Sequence, residues 1–411
     1  MSDYITDGKG RNTMVKKLQP KLRFRGFTDA WEQRELKTLM KEVDEISSDG
    51  EILSVTVANG IYPARNGAKD SNPGESINRY KVVRIDDIVY NSMRLWQGAI
   101  GISDYKGIVS PAYTVCQVKQ GADARFCAYL LRRYPVLCEF YKYSQGNSKD
   151  TLILKYPEFS RITVTISPSI IEQHEIANAL ERIDSLIAAE KRKLNLLQKK
   201  KTTLLRQIFE QKLRFKGYSD FWEQHKLGSL GISYSGLSGK TKTDFGHGLA
   251  SYITYMNVFQ NPIADIDSNG QIEIDAKQHT VRYGDALFTI SSETPEEVGM
   301  SSVWIGNQKN VYLNSFCFGY RQDGAFDVLY LAYMLRSEAV RNQMRMLAQG
   351  ISRFNISQHK VMDINVNIPS ISEQQKIGSF CRGLDQLISA EVKKIDLLTL
   401  KKKALLQQMF V

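Results

Sequence analysis

Two stretches of this chain occur twice, at two different offsets, and this limits the folds open to it more than any other feature. Lys21–Gln33 reads Lys-Leu-Arg-Phe-Arg-Gly-Phe-Thr-Asp-Ala-Trp-Glu-Gln and returns at Lys212–Gln224, 191 residues on, with nine of thirteen positions identical. A longer stretch, Pro168–Phe209, returns without a gap at Pro369–Phe410, 201 residues on, with twenty of 42 positions identical. Self-similarity on this scale marks a duplicated structural unit. The chain is therefore two copies of a short segment, a module and a long segment. Between the repeats the modules share little beyond echoes such as Ser144-Gln-Gly-Asn-Ser148 beside Ala348-Gln-Gly-Ile-Ser352. A kept frame around divergent inserts suits reading two different targets in one geometry. A duplicated enzyme would keep its site residues in both copies.

The long repeat reads as helix. Ile176, Leu180, Ile183, Ile187, Glu190, Leu194, Leu197, Lys201, Leu204 and Ile208 follow one another at alternating steps of four and three, a heptad seam that is apolar apart from one glutamate and one lysine. The second copy runs Ile377, Cys381, Leu384, Ile388, Glu391, Ile395, Leu398, Lys402, Leu405 and Met409, with its charges at the same places. Forty residues of helix span about 60 Å. Pro168 and Pro369 precede the helices, and Ser169 with Glu172, or Ser370 with Glu373, has the spacing of a capping box. A long helix with one apolar stripe needs a partner, and each copy is the natural partner of the other. An antiparallel register that sets Glu190 against Lys402 and Lys201 against Glu391 pairs the seam charges, whereas a parallel one opposes like charges. In that register Ile183 faces Met409, Leu194 faces Leu398 and Leu204 faces Ile388. The runs Lys191–Lys193 and Lys199–Lys201 read as solvated faces, with phosphate contact as the alternative.

Composition narrows the partner. The formal charge is +11 and the isoelectric point is near 9.2, which favours a polyanion, because basic side chains that replace counterions on phosphates release them. No stretch of about 18 apolar residues or secretory leader pattern is evident, so a cytoplasmic address is expected. Five cysteines without a Cys-x-x-Cys pair argue against a disulfide framework and a structural zinc site. They read as buried thiols.

The tandem Leu-Arg-Phe-x-Gly-Phe/Tyr-x-Asp-x-Trp-Glu-Gln pattern, the Pro-Ser step into x-Glu-Gln-x-x-Ile, and Asp184-Ser-Leu-Ile-Ala-Ala-Glu190 with its twin Asp385-Gln-Leu-Ile-Ser-Ala-Glu391 resemble the specificity subunits of type I restriction-modification systems. Within the modules, Tyr80–Arg94 resembles one family of recognition domains, and Tyr252–Phe259 with Gly284–Thr289 another. The resemblance runs from about Leu18 to Phe410, and Met14 is a candidate start. It implies a DNA-binding subunit without catalysis of its own, which reads a split, asymmetric site and assembles two adenine N6 methyltransferase (modification) subunits and restriction subunits that translocate and cleave DNA. S-adenosylmethionine, ATP and magnesium then belong to the partners, and this chain carries no cofactor or metal. The helices would act as a ruler between half-sites about 34 Å apart.

The expected fold is α+β: two globular target-recognition domains separated by two long antiparallel coiled-coil helices, with a pseudo-twofold internal repeat. Its boundaries are an N-terminal extension 1–17, a first recognition domain 18–167 with framework segment 18–36, a spacer helix 168–210, a second recognition domain 211–368 with framework segment 211–227, and a second spacer helix 369–411. Strand-like runs alternate with turns in each module, at Lys81–Ile85, Asp87–Tyr90, Tyr113–Val118, Gln271–Asp275 and Asp285–Ile290, and one helix follows late, near 122–143 and 328–347.

Base reading needs donors and acceptors on loops held against groove edges. In the first module the candidates are Arg65, Asn66 and Lys69, then Arg94 and Gln97, then Gln145, Asn147 and Lys149. In the second they are Lys240 and Lys242, Tyr252 and Asn257, Ser291, Ser292 and Thr294, and Arg353 and Asn355. The loops carry this reading more than their members do.

Two motifs invite other chemistry. Gly231–Thr241 ends like a phosphate-binding loop but has Tyr234 where that loop needs glycine. Asp265, Asp275 and Lys277 have the outline of a metal-dependent nuclease site, though the segment reads better as a charged hairpin. The competing functions are thus a DNA nuclease, which would show metal-dependent cleavage by the isolated chain, and a coiled-coil adaptor, which strong sequence preference in DNA binding would exclude.

Overall fold

The computed structural model describes residues 4–6, 12–14, 18–67 and 74–411. The chain divides into two units: one takes in the described residues up to Glu190 together with Lys394–Val411, the other is Lys191–Lys393. Both divisions fall inside a long helix, Ile170–Phe209 and Ile371–Gln408, so each unit holds one module and a segment of either helix. None of the described helices is long and apolar enough to cross a membrane. Most of the extension 1–17 lies outside the described residues, of which Tyr4–Thr6 and Asn12–Met14 pair antiparallel.

The modules, so unlike in sequence, are built on one sheet. In the first unit four antiparallel strands lie in the order Met40–Glu42, Tyr113–Val118, Ile88–Asn91, Ile100–Ile102. In the second the order Gly231–Ser235, Cys317–Gln322, Ala286–Thr289, Ser301–Val303 repeats it strand for strand. The central strands carry the buried apolar residues that make them strands, Ile88, Val89 and Tyr90 in one and Leu287 and Phe288 in the other. Each short repeat pairs with the strand that leads into a long helix, Glu32–Glu35 with Thr163–Ile166 and Glu223–Lys226 with Asn365–Ile368. The modules differ in what is added: two hairpin-like pairs in the first, and in the second a long strand, Phe245–Ile253, flanked by Asn269–Ile272 and Val311–Leu313.

The single late helix expected in each module is two. Ala124–Leu131 stops before Tyr134–Tyr143, whose second residue is Pro135, and Val328–Met334 stops before Glu338–Leu347, which begins after Ser337. Proline cannot continue a helix through its own position but suits a first turn. Asp123 and Asp327 cap the first helix of each pair by accepting backbone N–H bonds from Phe126 and from Leu329 and Tyr330.

The repeats are conserved between copies because they bind one another. Glu172, fully buried at the start of the first long helix, accepts from Arg23 (Nε 2.5 Å, Nη2 2.9 Å), from Trp31 Nε1 (3.2 Å) and from the Ser167 hydroxyl (2.5 Å). Arg214 grips Glu373 in the same bidentate way, at 3.0 and 2.7 Å. The neighbouring glutamine ties each helix to its module: Gln173 Oε1 accepts from the Asp123 backbone and Gln374 Oε1 from that of Asp327. The expected capping boxes do not form. The Glu172 N–H reaches Ser169 Oγ at a long 3.4 Å, but its carboxylate is turned to Arg23 and Trp31, because a guanidinium fork offers a buried carboxylate more than one backbone N–H does.

Within each unit the two helix segments run antiparallel, in a register one heptad away from the expected one. In the first unit Asp184 meets Lys402 at 2.6 Å and Glu190 meets Lys394; in the second Lys193 meets Glu391 at 2.7 Å and Lys201 meets Asp385. All four residues assigned to helix pairing, Glu190, Lys201, Glu391 and Lys402, do form ion pairs between helices, but not the pairs Glu190–Lys402 and Lys201–Glu391. A shift of one heptad leaves the apolar seam in contact, so periodicity alone cannot choose between the registers. The modules choose it. Tyr129 donates to Asp184 at 2.8 Å and Tyr333 to Asp385 at 2.7 Å, and Lys402 and Lys201 lie over those same rings. The aspartates are thereby fixed where the lysines must come.

At its far end each long helix buries a phenylalanine in a module. Phe410 stacks on Phe126 and meets Trp31 edge-on, and Phe209 meets Trp222 and Tyr330. Four of the five cysteines are buried, Cys138 is partly so, and all are unpaired.

Candidate nucleic-acid interface

Of the loop residues that the sequence singles out, the structure leaves some free and occupies others. Arg65 and Asn66 lie exposed in a short 3-10 turn, where Arg65 pairs with Glu51 at 3.0 Å. Lys69 lies outside the described residues. Arg94 and Gln97 are exposed on the turn that leaves the central strand of the first sheet. Gln145, Asn147 and Lys149 are exposed in the loop after the second module helix.

In the second module Lys240 is engaged by Asp275 at 2.7 Å, an ion pair that raises the lysine's pKa. Lys242 is exposed on the adjoining 3-10 turn. Tyr252 is half-buried in the long strand, edge-on to Phe245 and covered by Gly270, where a Cβ would come within 2.4 Å of the ring. Asn257 is only 3% exposed, and its amide bonds to the backbone of Asp265 in both directions at 2.8 Å. That amide is consumed in holding a turn and is not offered to a groove edge. The sequence could not show this, because Asn in a short helix looks the same whether it faces inward or outward.

Ser291, Ser292 and Arg353 come together. They line a cavity of about 430 Å³ with Tyr255, Phe259, Phe316, Glu293 and Glu297. Ser291 and Ser292 pair with Asn355 and Phe354 as short antiparallel strands, and the Tyr255 hydroxyl donates to the Ser291 carbonyl at 2.5 Å. Thr294 donates to Glu297 at 3.0 Å. Four candidate cations, Arg94, Lys149, Lys242 and Arg353, are exposed and make no ion pair with a carboxylate among the described residues.

Sequence reasoning missed two arginines that hold the second module in shape. Arg336 donates to the carbonyls of Val258, Phe259, Asn261 and Ser301, and Arg341 to those of Glu296, Val298 and Gly299. Burial lowers both to about 10. No sequence signal separates them from an exposed neighbour such as Arg345.

The alternative chemistry is spent on structure. Asp265 accepts from Ser268 and from the Asp267 backbone, while Asp275, lowered to about 2 chiefly by Lys240, also accepts from Lys277 N and Gln278. No cluster of three or more metal-binding side chains occurs among the described residues. In the phosphate-loop lookalike, Gly231–Ser235 is a strand and Lys240 is held by Asp275.

Residues 220–400 match the family described as the type I restriction modification DNA specificity domain. Over that span the chain is similar to such a domain. The chain is also similar to solved structures over nearly its whole length. It covers 96% of itself and 99% of the type I restriction-modification system S subunit from M. genitalium, at 16% identity and a TM-score of 0.58. It covers 95% of itself and 99% of a chain from a study of complex assembly and conformational transition of the type I restriction-modification system, at 14% identity and a TM-score of 0.52. At such identities the likeness is one of fold. No curated protein matches the chain in sequence.

Proposed function

We propose that this chain gives a type I restriction-modification complex its DNA sequence specificity, with each module reading one half of a bipartite, asymmetric site. One observation carries the proposal: two modules of different sequence share a four-stranded sheet of one strand order, and each is fastened to the long helices by the same Arg–Glu, Gln–backbone and Tyr–Asp contacts. Identical fastening with divergent inserts delivers two readings in one frame. The long helices serve as the spacer between recognition domains, antiparallel along their length.

The chain itself is non-catalytic in this reading. Methyl transfer to adenine N6 belongs to two modification subunits with S-adenosylmethionine, and translocation and cleavage to restriction subunits with ATP and magnesium, all in the cytoplasm. The test is to map N6-methyladenine in a genome that expresses the chain with its modification partner, then to exchange residues 34–150 with those of a related chain. One half of the methylated motif changes and the other stays. A motif that changes in both halves, or metal-dependent cleavage by the isolated chain, overturns the proposal.

A further inference from the structure

The modules differ in their insertions but agree in one exposed element that the sheet does not require. After its second helix each module forms a hairpin loop, Gln145-Gly-Asn-Ser-Lys149 in the first and Gln349-Gly-Ile-Ser-Arg353 in the second. Each is closed by reciprocal backbone hydrogen bonds, Gln145 with Ile153 at 2.9 Å both ways and Gln349 with Asn355 at 2.9 and 2.8 Å. Each is then moored to the end of a central sheet strand, Leu154 N–H to the Ser92 carbonyl and Ile356 N–H to the Ile290 carbonyl.

The glycine has a reason in both. Its φ is +154° in Gly146 and +140° in Gly350, and a Cβ would come within 2.5 Å of the Thr151 carbonyl oxygen or 2.0 Å of that of Arg353. Only glycine allows the two arms to close so tightly. Around it every residue from Gln145 to Asp150 and from Gln349 to Arg353 is exposed. Lys149 and Arg353 make no ion pair with a carboxylate among the described residues, whereas the candidate cations Arg65 and Lys240 do.

What the hairpins share is a closed backbone turn, a serine hydroxyl and an unneutralised cation. What differs is the residue between glycine and serine, Asn147 in one and Ile351, 98% exposed, in the other. Two half-sites of different sequence have only the sugar-phosphate backbone in common, and contacts to it set register without carrying sequence. We infer that these hairpins are equivalent phosphate grips, Ser148 with Lys149 and Ser352 with Arg353 each holding a backbone phosphate of its own half-site, so that Lys149 and Arg353 position the DNA and do not read it. This rests on the DNA-reading role proposed above.

The test uses the full chain, duplexes it selects from a random-sequence library, and one duplex of unrelated sequence. Lys149→Gln and Arg353→Gln, both at exposed loop positions, each weaken binding by a similar factor on selected and unrelated duplexes. Each also reduces the slope of log affinity against log salt by about 0.9, the value for one lost phosphate contact, and the selected sequence stays the same. Unchanged affinity and salt slope, or a changed preference in one half of the selected sequence, overturns the grips while leaving the DNA-reading role intact. A wild-type chain that selects no sequence removes the DNA-reading role itself, and the grips with it.

Discussion

Lys402 Nζ lies 2.6 Å from Asp184 Oδ1, and 201 residues away in each case Lys201 meets Asp385. The lysine also lies over the Tyr129 ring, whose hydroxyl donates to the same aspartate. Tyr333 repeats this with Lys201 and Asp385. A module is thus joined to both long helices by a three-residue contact that appears once in each unit.

Because this contact is partly exposed, its charges are worth about 0.2 to 1 kcal/mol per pair. Lys402→Asp, which opposes two carboxylates, lowers the thermal midpoint of the full chain, and Asp184→Lys in addition recovers part of the loss. The pairing is read from a double-mutant cycle. Strictly additive effects would show that the two charges do not act on one another.

The register is open to direct chemical test. Continuing the spacing set by Asp184–Lys402 and Glu190–Lys394 brings residue 187 opposite 398. In a Cys138→Ser background, Ile187→Cys with Leu398→Cys forms an intramolecular disulfide under mild oxidation. Leu194→Cys with Leu398→Cys, the pair of the register read from heptads alone, forms it far more slowly. The reverse order of rates restores the heptad reading.

Glu172 has no exposed surface and is held by Arg23 and Trp31. Breaking a buried pair by removing one partner costs about 3 to 5 kcal/mol, because the other charge is left uncompensated. Arg23→Ala therefore lowers the stability of the first unit by that order, measured by denaturant unfolding, whereas Arg23→Met with Glu172→Leu loses much less. Equal losses in the single and double variants would mean that packing, not charge, is what the pair supplies.

Asp275 titrates at about 2, below an unperturbed aspartate near 3.9, because Lys240 and the neighbouring backbone favour its charged form. A depressed folded-state pKa adds stability that is fully present above the unfolded value and is lost as pH falls through the folded one. The contribution is therefore constant above about pH 5 and fades between about pH 4 and 2. Lys240→Ala moves the Asp275 midpoint, followed by NMR, upward toward the unperturbed value. An unmoved midpoint would show that Lys240 is not the cause.

Much of this architecture is legible in the residues. The duplicated frame fixed the long helices to within a few residues, since twin heptad seams headed by Pro168 and Pro369 leave little freedom. Strands such as Tyr113–Val118 stood out by β-branched and aromatic content. The shared strand order of the modules did not, because a sheet is specified by which residues are buried and many sequences bury alike. The helix register was hidden because it depends on Tyr129 and Tyr333, which lie outside the helices altogether. Of the loop candidates, Asn147 and Arg353 lie exposed, while Lys240 and Asn257 serve the module itself, a difference of burial and pairing that loop composition does not carry. Arg23 and Glu172 were each visible as repeated residues in separate motifs, and only folding brings the motifs together.

The backbone N–H of Leu22 donates to the Gln408 carbonyl at 2.9 Å, just as that of Leu213 donates to the Gln207 carbonyl at 3.1 Å. In the second case five residues of continuous chain connect the partners; in the first, no covalent path is needed. Each unit therefore seats the end of a long helix beside the start of a short repeat by the same kind of backbone bond, whether or not the chain runs on between them. In the first unit a short covalent link from residue 411 to residue 18 would join ends that the fold already holds together, and would ask neither to move.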